Sequence, residues 1–192
     1  MNVGGQLIGA ARRYRGVSGR ALAAQTQSSQ TALSELERGE EDATSARLDR
    51  LLRPLGYQLS VIPSRLGTAV EAAEGVREHL LDRNEERAKR SVWQLAADLQ
   101  DADPALRVAL CITPPAPTTS PRYDALIAAV CDYLLTDSHL PTPTWVHEPW
   151  RTLDTPWDVE SVPSLRKRAR ELTPTVIGSH GVFLNPGELM NA

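Results

Sequence analysis

Apolar residues recur every three to four positions along most of this 192-residue chain, the spacing of helices that bury one side. Val3, Leu7, Ile8 and Ala11, followed by Tyr14 or Arg15, predict a helix over 3–15, and Gly16 closes it. Ser18 stands where a side chain caps the next helix, which Ala21, Leu22 and Ala23 continue. Gln25-Thr26-Gln27 reads as a short turn, and Ser28 or Ser29 caps a third helix over 30–38 that ends at Gly39. A fourth begins at Thr44 or Ser45, with Leu48, Leu51, Leu52 and Leu55 inward and Gly56 as its stop.

The period then changes. Tyr57, Leu59 and Val61 alternate with Gln58 and Ser60, a period of two that predicts a strand over 57–62 before Pro63. A lone strand cannot satisfy its backbone, and no second good strand is legible, so its simplest partner is the same strand of another copy. Beyond it the helical spacing returns. Leu66, Val70, Ala73, Val76 and Leu80 mark a helix over 66–81, and Asp82-Arg83-Asn84 a turn with Asn84 as cap. Ala88, Val92, Leu95 and Leu99 mark a helix over 85–99, although one continuous helix also fits. A short helix at 104–110, a proline-rich loop at 113–121 and a helix over 123–135 follow. Residues 139–157, rich in Pro and Trp, predict few regular elements. Ser161 or Ser164 starts a last long helix reaching Glu171 or Leu172, and a short helix near 173–177 and a turn at 186–190 follow.

Composition agrees with this picture. Hydrophobic residues make up 41% and aromatic residues only 5%, a balance carried by Ala and Leu that favours helices over strands. The net charge of −3 argues mildly against nucleic acid until it is resolved along the chain. Residues 1–63 carry eight arginines and six acids, about +2, and the rest carries about −5. A basic head on an acidic body suits DNA contact by the head alone. Cys111 and Cys131 lie in no metal or redox spacing and read as buried, reduced thiols. The absence of a signal-like or membrane-length apolar run leads to the expectation of a cytoplasmic protein without membrane contact.

The most informative string is VSGRALAAQTQSSQTALSELERG at 17–39. Two helices joined by so short a turn cross at a fixed angle, with Leu22, Ala23, Leu33 and Leu36 where they touch and the small Ala24 at the close approach. The other side of the second helix offers Gln30, Thr31, Ser34, Glu35 and Arg38, groups able to bond base edges or phosphates. With Ser18, Leu22-Ala23, Ser29, Leu33-Ser34, Leu36-Glu37-Arg38-Gly39 and Leu48, Leu52, Leu55-Gly56, residues 5–56 resemble the XRE family of phage-repressor-type regulators. One departure is Gln27, at a turn position the family usually fills with Gly; it calls for a strained backbone or a shifted turn.

That resemblance implies that residues 1–63 are a five-helix-type, λ-repressor-like helix-turn-helix domain with its dimerisation strand at 57–62; with the helical spacing that follows, the expectation is an all-α, two-domain protein whose residues 66–192 form an α-helical domain with an irregular Pro/Trp-rich segment, read below as partner-binding. The resemblance also implies double-stranded operator DNA as partner, with Ser29, Gln30, Thr31, Ser34 and Glu35 reading bases and Ser18, Arg20, Arg38 and Arg47 on phosphates. Glu35 has a plainer alternative, a surface pair with Arg38. XRE-family antitoxins pair a comparable segment between subunits, which implies a homodimer held through Tyr57, Leu59 and Val61.

The remaining sequence carries no phosphate loop, HExxH, GxSxG or paired carboxylates, so no catalytic residue, cofactor or metal is expected. His79 reads as a surface residue, and His147 and His180 as packing or capping groups. The run Leu165-Arg166-Lys167-Arg168-Ala169-Arg170 reads as a solvated helix face or a second nucleic-acid patch. The segments VREHLLDRNEERAKRSVWQLAADL, LPTPTWVHEP and PSLRKRARELTPTVIGSHGVFLNPGEL resemble two-domain regulators encoded beside AbiEii-type nucleotidyltransferase toxins. This second resemblance implies an antitoxin that represses its own operon and neutralises a cognate toxin, with Trp145, Trp150, Trp157, Val182 and Phe183 as partner anchors. The plainer reading of the tryptophans is that they pin an irregular loop to its own core. The alternative function is a stand-alone XRE-family factor whose second domain senses a small molecule or a protein.

Overall fold

A computed structural model describes residues 3–62 and 64–189. Ten α-helices and one two-stranded ladder occur among the described residues, so the protein is mostly helical. The chain divides into two compact units. One holds the described residues up to 62 together with Pro114–Ala116, and the other holds Ser64–Thr113 and the residues from Pro117 onward.

The first unit contains α1 (Val3–Tyr14), α2 (Gly19–Gln25), α3 (Gln30–Glu37) and α4 (Ser45–Leu52), then a 3₁₀ turn, Arg53–Leu55. The expectation of a five-helix type thus meets four α-helices and that turn. Ile8, Ala11, Leu22, Ala23, Leu33, Leu36, Leu51, Leu52 and Leu55 form one buried cluster from all four helices. Gly5 lets α1 approach α3, because a Cβ there would stand 1.9 Å from the Leu36 carbonyl oxygen. Each helix is closed by a residue in the left-handed region whose amide, with that of the next residue, returns to the last turn. Glycine fills this position three times, at Gly16, Gly39 and Gly56. Gln27, φ 52°, fills it after α2 and accepts the strain.

In the second unit, α5 (Ala69–Leu81) and α6 (Glu85–Asp101) pack as a pair, followed by α7 (Pro104–Cys111). The long α8 (Pro121–Asp137) is buried from Tyr123 to Leu135 on almost every side. It is covered by α5, α6 and α7, by 3₁₀ turns at Thr144–His147 and Pro149–Arg151, and by α10 (Thr175–Gly178). A helix buried all round needs apolar residues all round, which is why ALIAAV at 125–130 shows no polar face. Cys111 and Cys131 are free, buried thiols.

Several boundaries differ from the sequence reading, each for a local reason. α5 begins at Ala69 rather than near Leu66, because Thr68 and Glu71 form a reciprocal capping box. α9 (Pro163–Leu172) starts after Val162, with neither Ser161 nor Ser164 as cap; Pro163 already has the φ of a first helical residue. Residues 57–62 form no ladder within the chain. The ladder that does exist is one the alternation could not reveal: β1 (Trp157–Asp158) runs parallel to β2 (Val182–Phe183). Two residues per strand are too few to show a period.

Candidate nucleic-acid interface

The interface expected from the sequence rests on how α2 and α3 are started and joined. Ser18 Oγ accepts the Ala21 amide at 3.1 Å and Ser29 Oγ accepts the Ala32 amide at 3.0 Å, so each serine caps the free donors of its helix. Between the helices the buried Thr26 hydroxyl donates to the Leu22 carbonyl at 2.8 Å. The Ser28 amide donates to the Ala23 carbonyl at 2.9 Å across the left-handed Gln27. The turn is therefore not shifted; it is the strained backbone of the two options.

On α3, Leu33 and Leu36 are buried, whereas Ser29, Gln30 and Thr31 are exposed and Ser34 and Glu35 half-buried. Gln30, Thr31, Ser34 and Glu35, with Arg38 just beyond, repeat at helical spacing and form one polar stripe opposite the leucines. Arg12 fixes the helix's far end: its guanidinium binds both Glu37 carboxylate oxygens, at 2.7 and 2.6 Å, and also donates to the Val17 carbonyl.

The expected phosphate contacts are unequal. Arg20 is exposed on α2. Arg38 lies across Glu40 with two contacts of 2.7 Å and also donates to Ser34 Oγ at 2.6 Å, turning away from the Glu35 pairing. Arg47 holds Glu41 at 2.7 Å. Hydrogen bonds from these arginines hold the Glu40 and Glu41 carboxyls below their ordinary pKa. Arg38 and Arg47 thus each already hold a carboxylate, so the phosphate contact expected of them would exchange one anion for another.

No known family model, curated protein or solved structure matches the chain.

The expected dimerisation residues separate. Tyr57 and Leu59 pack against the first unit's own core, and Arg15 lies over the Tyr57 ring. Val61, 91% exposed, and Ile62 face outward. The expected partner anchors separate too. Trp145 and Val182 are buried in the second unit and offer no surface, a correction to that part of the sequence reading. The Trp145 indole donates to the Cys111 carbonyl at 2.8 Å, so it pins the Thr144–His147 turn. Trp157 packs on Tyr123, and Phe183 lies beneath Arg170. Trp150 is the exposed one of the five, 40% accessible, with the Arg151 guanidinium over its ring.

Sequence reasoning missed one constellation. Asp132, His147 and His180 converge in the second unit, each with a ligand-type atom within 4.8 Å of the others. They come from α8, a 3₁₀ turn and the loop after α10, so no short-range spacing could announce them.

Proposed function

We propose that the protein is a DNA-binding transcriptional repressor whose first unit is a helix-turn-helix of the XRE type, acting as a homodimer with α3 in the major groove. The observation that carries this reading is the capped helix Gln30–Glu37, anchored from behind by Leu33 and Leu36 and polar along its other side. Gln30 is suited to a two-fold bond with adenine and Glu35 to accepting from cytosine. Selection of binding sites from a random duplex library should enrich a two-fold symmetric sequence. Gln30→Ala should weaken binding to that site by about 1–3 kcal/mol and relax one base position. Failure of the wild-type chain to enrich any sequence would end the proposal. The exposed Val61 suits a test of the dimer better than Leu59, whose replacement would also disturb the core. Val61→Lys should convert a dimer to a monomer by light scattering, and an unchanged mass would exclude pairing through this segment.

For the second unit we propose binding of a partner protein, the antitoxin reading. It is supported by the exposed Trp150 and by Val162, Leu165 and Leu172, which leave apolar surface on and beside α9. An adjacent gene for a nucleotidyltransferase-like toxin, and rescue of toxin-arrested cells by this chain, would test it. The alternative, a ligand-sensing regulator, is favoured by an open cleft of about 460 Å³ between α5 and α6, lined among others by Glu71, His79, Arg87, Arg90 and Asp98. A small-molecule-dependent change in operator affinity would select that reading instead.

A further inference from the structure

Asp132, on α8, is a buried carboxylate whose two oxygens have different tasks. Oδ1 accepts the Thr136 hydroxyl at 3.2 Å. Oδ2 faces two imidazoles, His180 Nε2 at 3.1 Å and His147 Nδ1 at 3.6 Å. The other nitrogen of His180, Nδ1, lies 3.2 Å from the Arg151 carbonyl, which can only accept. Nδ1 therefore carries hydrogen, and in a neutral imidazole Nε2 then holds a lone pair. A lone pair and a carboxylate oxygen 3.1 Å apart repel unless a positive centre joins them. A proton can join two such atoms. His147 brings a third ligand atom to the same place, and three convergent ligand atoms match a metal ion better than a proton.

Two of the three ligand separations agree in size with such a site. Metal–ligand bonds of about 2.0–2.1 Å at tetrahedral angles set neighbouring ligand atoms about 3.3–3.4 Å apart. The two distances at Asp132 Oδ2, 3.1 and 3.6 Å, fall on either side of that value. The surroundings also resemble those of ligating groups, whose second atoms are usually held by a carbonyl, hydroxyl or carboxylate: Arg151 O holds His180 and Thr136 holds Asp132. His147 leaves its buried neighbours for solvent, with a side chain 60% accessible, so one coordination position opens outward.

We infer that Asp132, His147 and His180 form a binding site for a divalent transition-metal cation, with zinc the best match to two imidazoles and one carboxylate. The ion ties α8, the Thr144–His147 turn and the loop after α10 together, and its outward position takes water or an anionic group. This site is independent of the DNA-binding reading.

The test uses the full chain, freed of any affinity tag and stripped with chelator. Titration with Co²⁺ should give visible absorption of a low-coordinate complex that saturates at one ion per chain, and Zn²⁺ should displace it and raise the unfolding temperature. His147→Ala replaces an exposed side chain and should keep the circular dichroism and unfolding temperature of the metal-free protein. It should weaken Co²⁺ binding by at least about a hundredfold, while His139→Ala binds as wild type. Absence of Co²⁺ and Zn²⁺ binding by the wild-type chain would overturn the inference. Undiminished binding by a folded His147→Ala chain would overturn it as well.

Discussion

Replacing Arg38 separates phosphate contact from mere surface charge. In the free protein its guanidinium rests on Glu40 and Ser34. An exposed ion pair of this kind contributes little, so a phosphate can displace Glu40 readily. If Arg20, Arg38 and Arg47 each neutralise one phosphate, a dimer makes about six such contacts, and log K falls with log salt at a slope of about −5.4. Affinity then drops roughly 2,000-fold between 50 and 200 mM salt. Arg38→Ala removes two contacts per dimer, the slope becomes about −3.6 and the drop shrinks to roughly 150-fold. Glu40→Gln takes away the competing anion without adding a contact, so it should tighten binding several-fold at low salt and leave the slope unchanged. Fluorescence anisotropy with a labelled duplex across a salt series reads both numbers. A slope for Arg38→Ala equal to that of wild type would mean that Arg38 never leaves Glu40, and the placement of α3 against the backbone would fall with it.

Two further expectations concern the scaffold. Gln27→Gly relieves a left-handed residue costing about 1–2 kcal/mol, offset by about 0.4–1 kcal/mol of added freedom in the unfolded chain; the first unit should unfold several degrees higher by calorimetry, and a lower midpoint would show that the Gln27 side chain stabilises the turn. Burial pushes the Tyr123 hydroxyl, which donates to the Glu85 carbonyl at 3.0 Å, up to about 12. The folded chain then holds this proton more tightly than the unfolded one, so stability is intact below pH ~10 and declines as pH rises from there towards 12. Urea unfolding over that range should show a shallower decline for Tyr123→Phe, with Tyr133, also raised by burial, leaving part of the slope; identical slopes would exonerate Tyr123.

How much of this was legible in the sequence follows from the range of each signal. The caps at Ser18, Ser29 and Asn84 and the buried stripe Ala88, Val92, Leu95 and Leu99 act within one or two helical turns, and the sequence reading finds them. The capping box at Thr68 and Glu71 is equally local, but apolar spacing alone also admits Leu66, which lies outside the helix, and so starts it too early. The fates of the tryptophans were not legible, because Trp145 and Trp150 lie in the same Pro-rich stretch and differ only in what the rest of the unit places over them. The cluster of Asp132, His147 and His180 lay further out of reach: its members meet only after α8 is enclosed and the chain after α10 has turned back at Gly181. There φ is 71° and a Cβ would stand 2.6 Å from the Leu153 carbonyl oxygen.

The enclosure of α8 also decides where the polypeptide tolerates cutting. Nearly every side chain from Tyr123 to Leu135 is covered, and much of the cover comes from sequence after residue 140. The wrapping continues to Leu189, which is buried and whose carbonyl accepts from the Gln100 side chain at 2.9 Å. A fragment ending anywhere in the Pro/Trp-rich stretch would bare one side of an apolar stretch about 20 Å long and aggregate, so shortened versions for crystallisation or interaction screens must extend to Leu189.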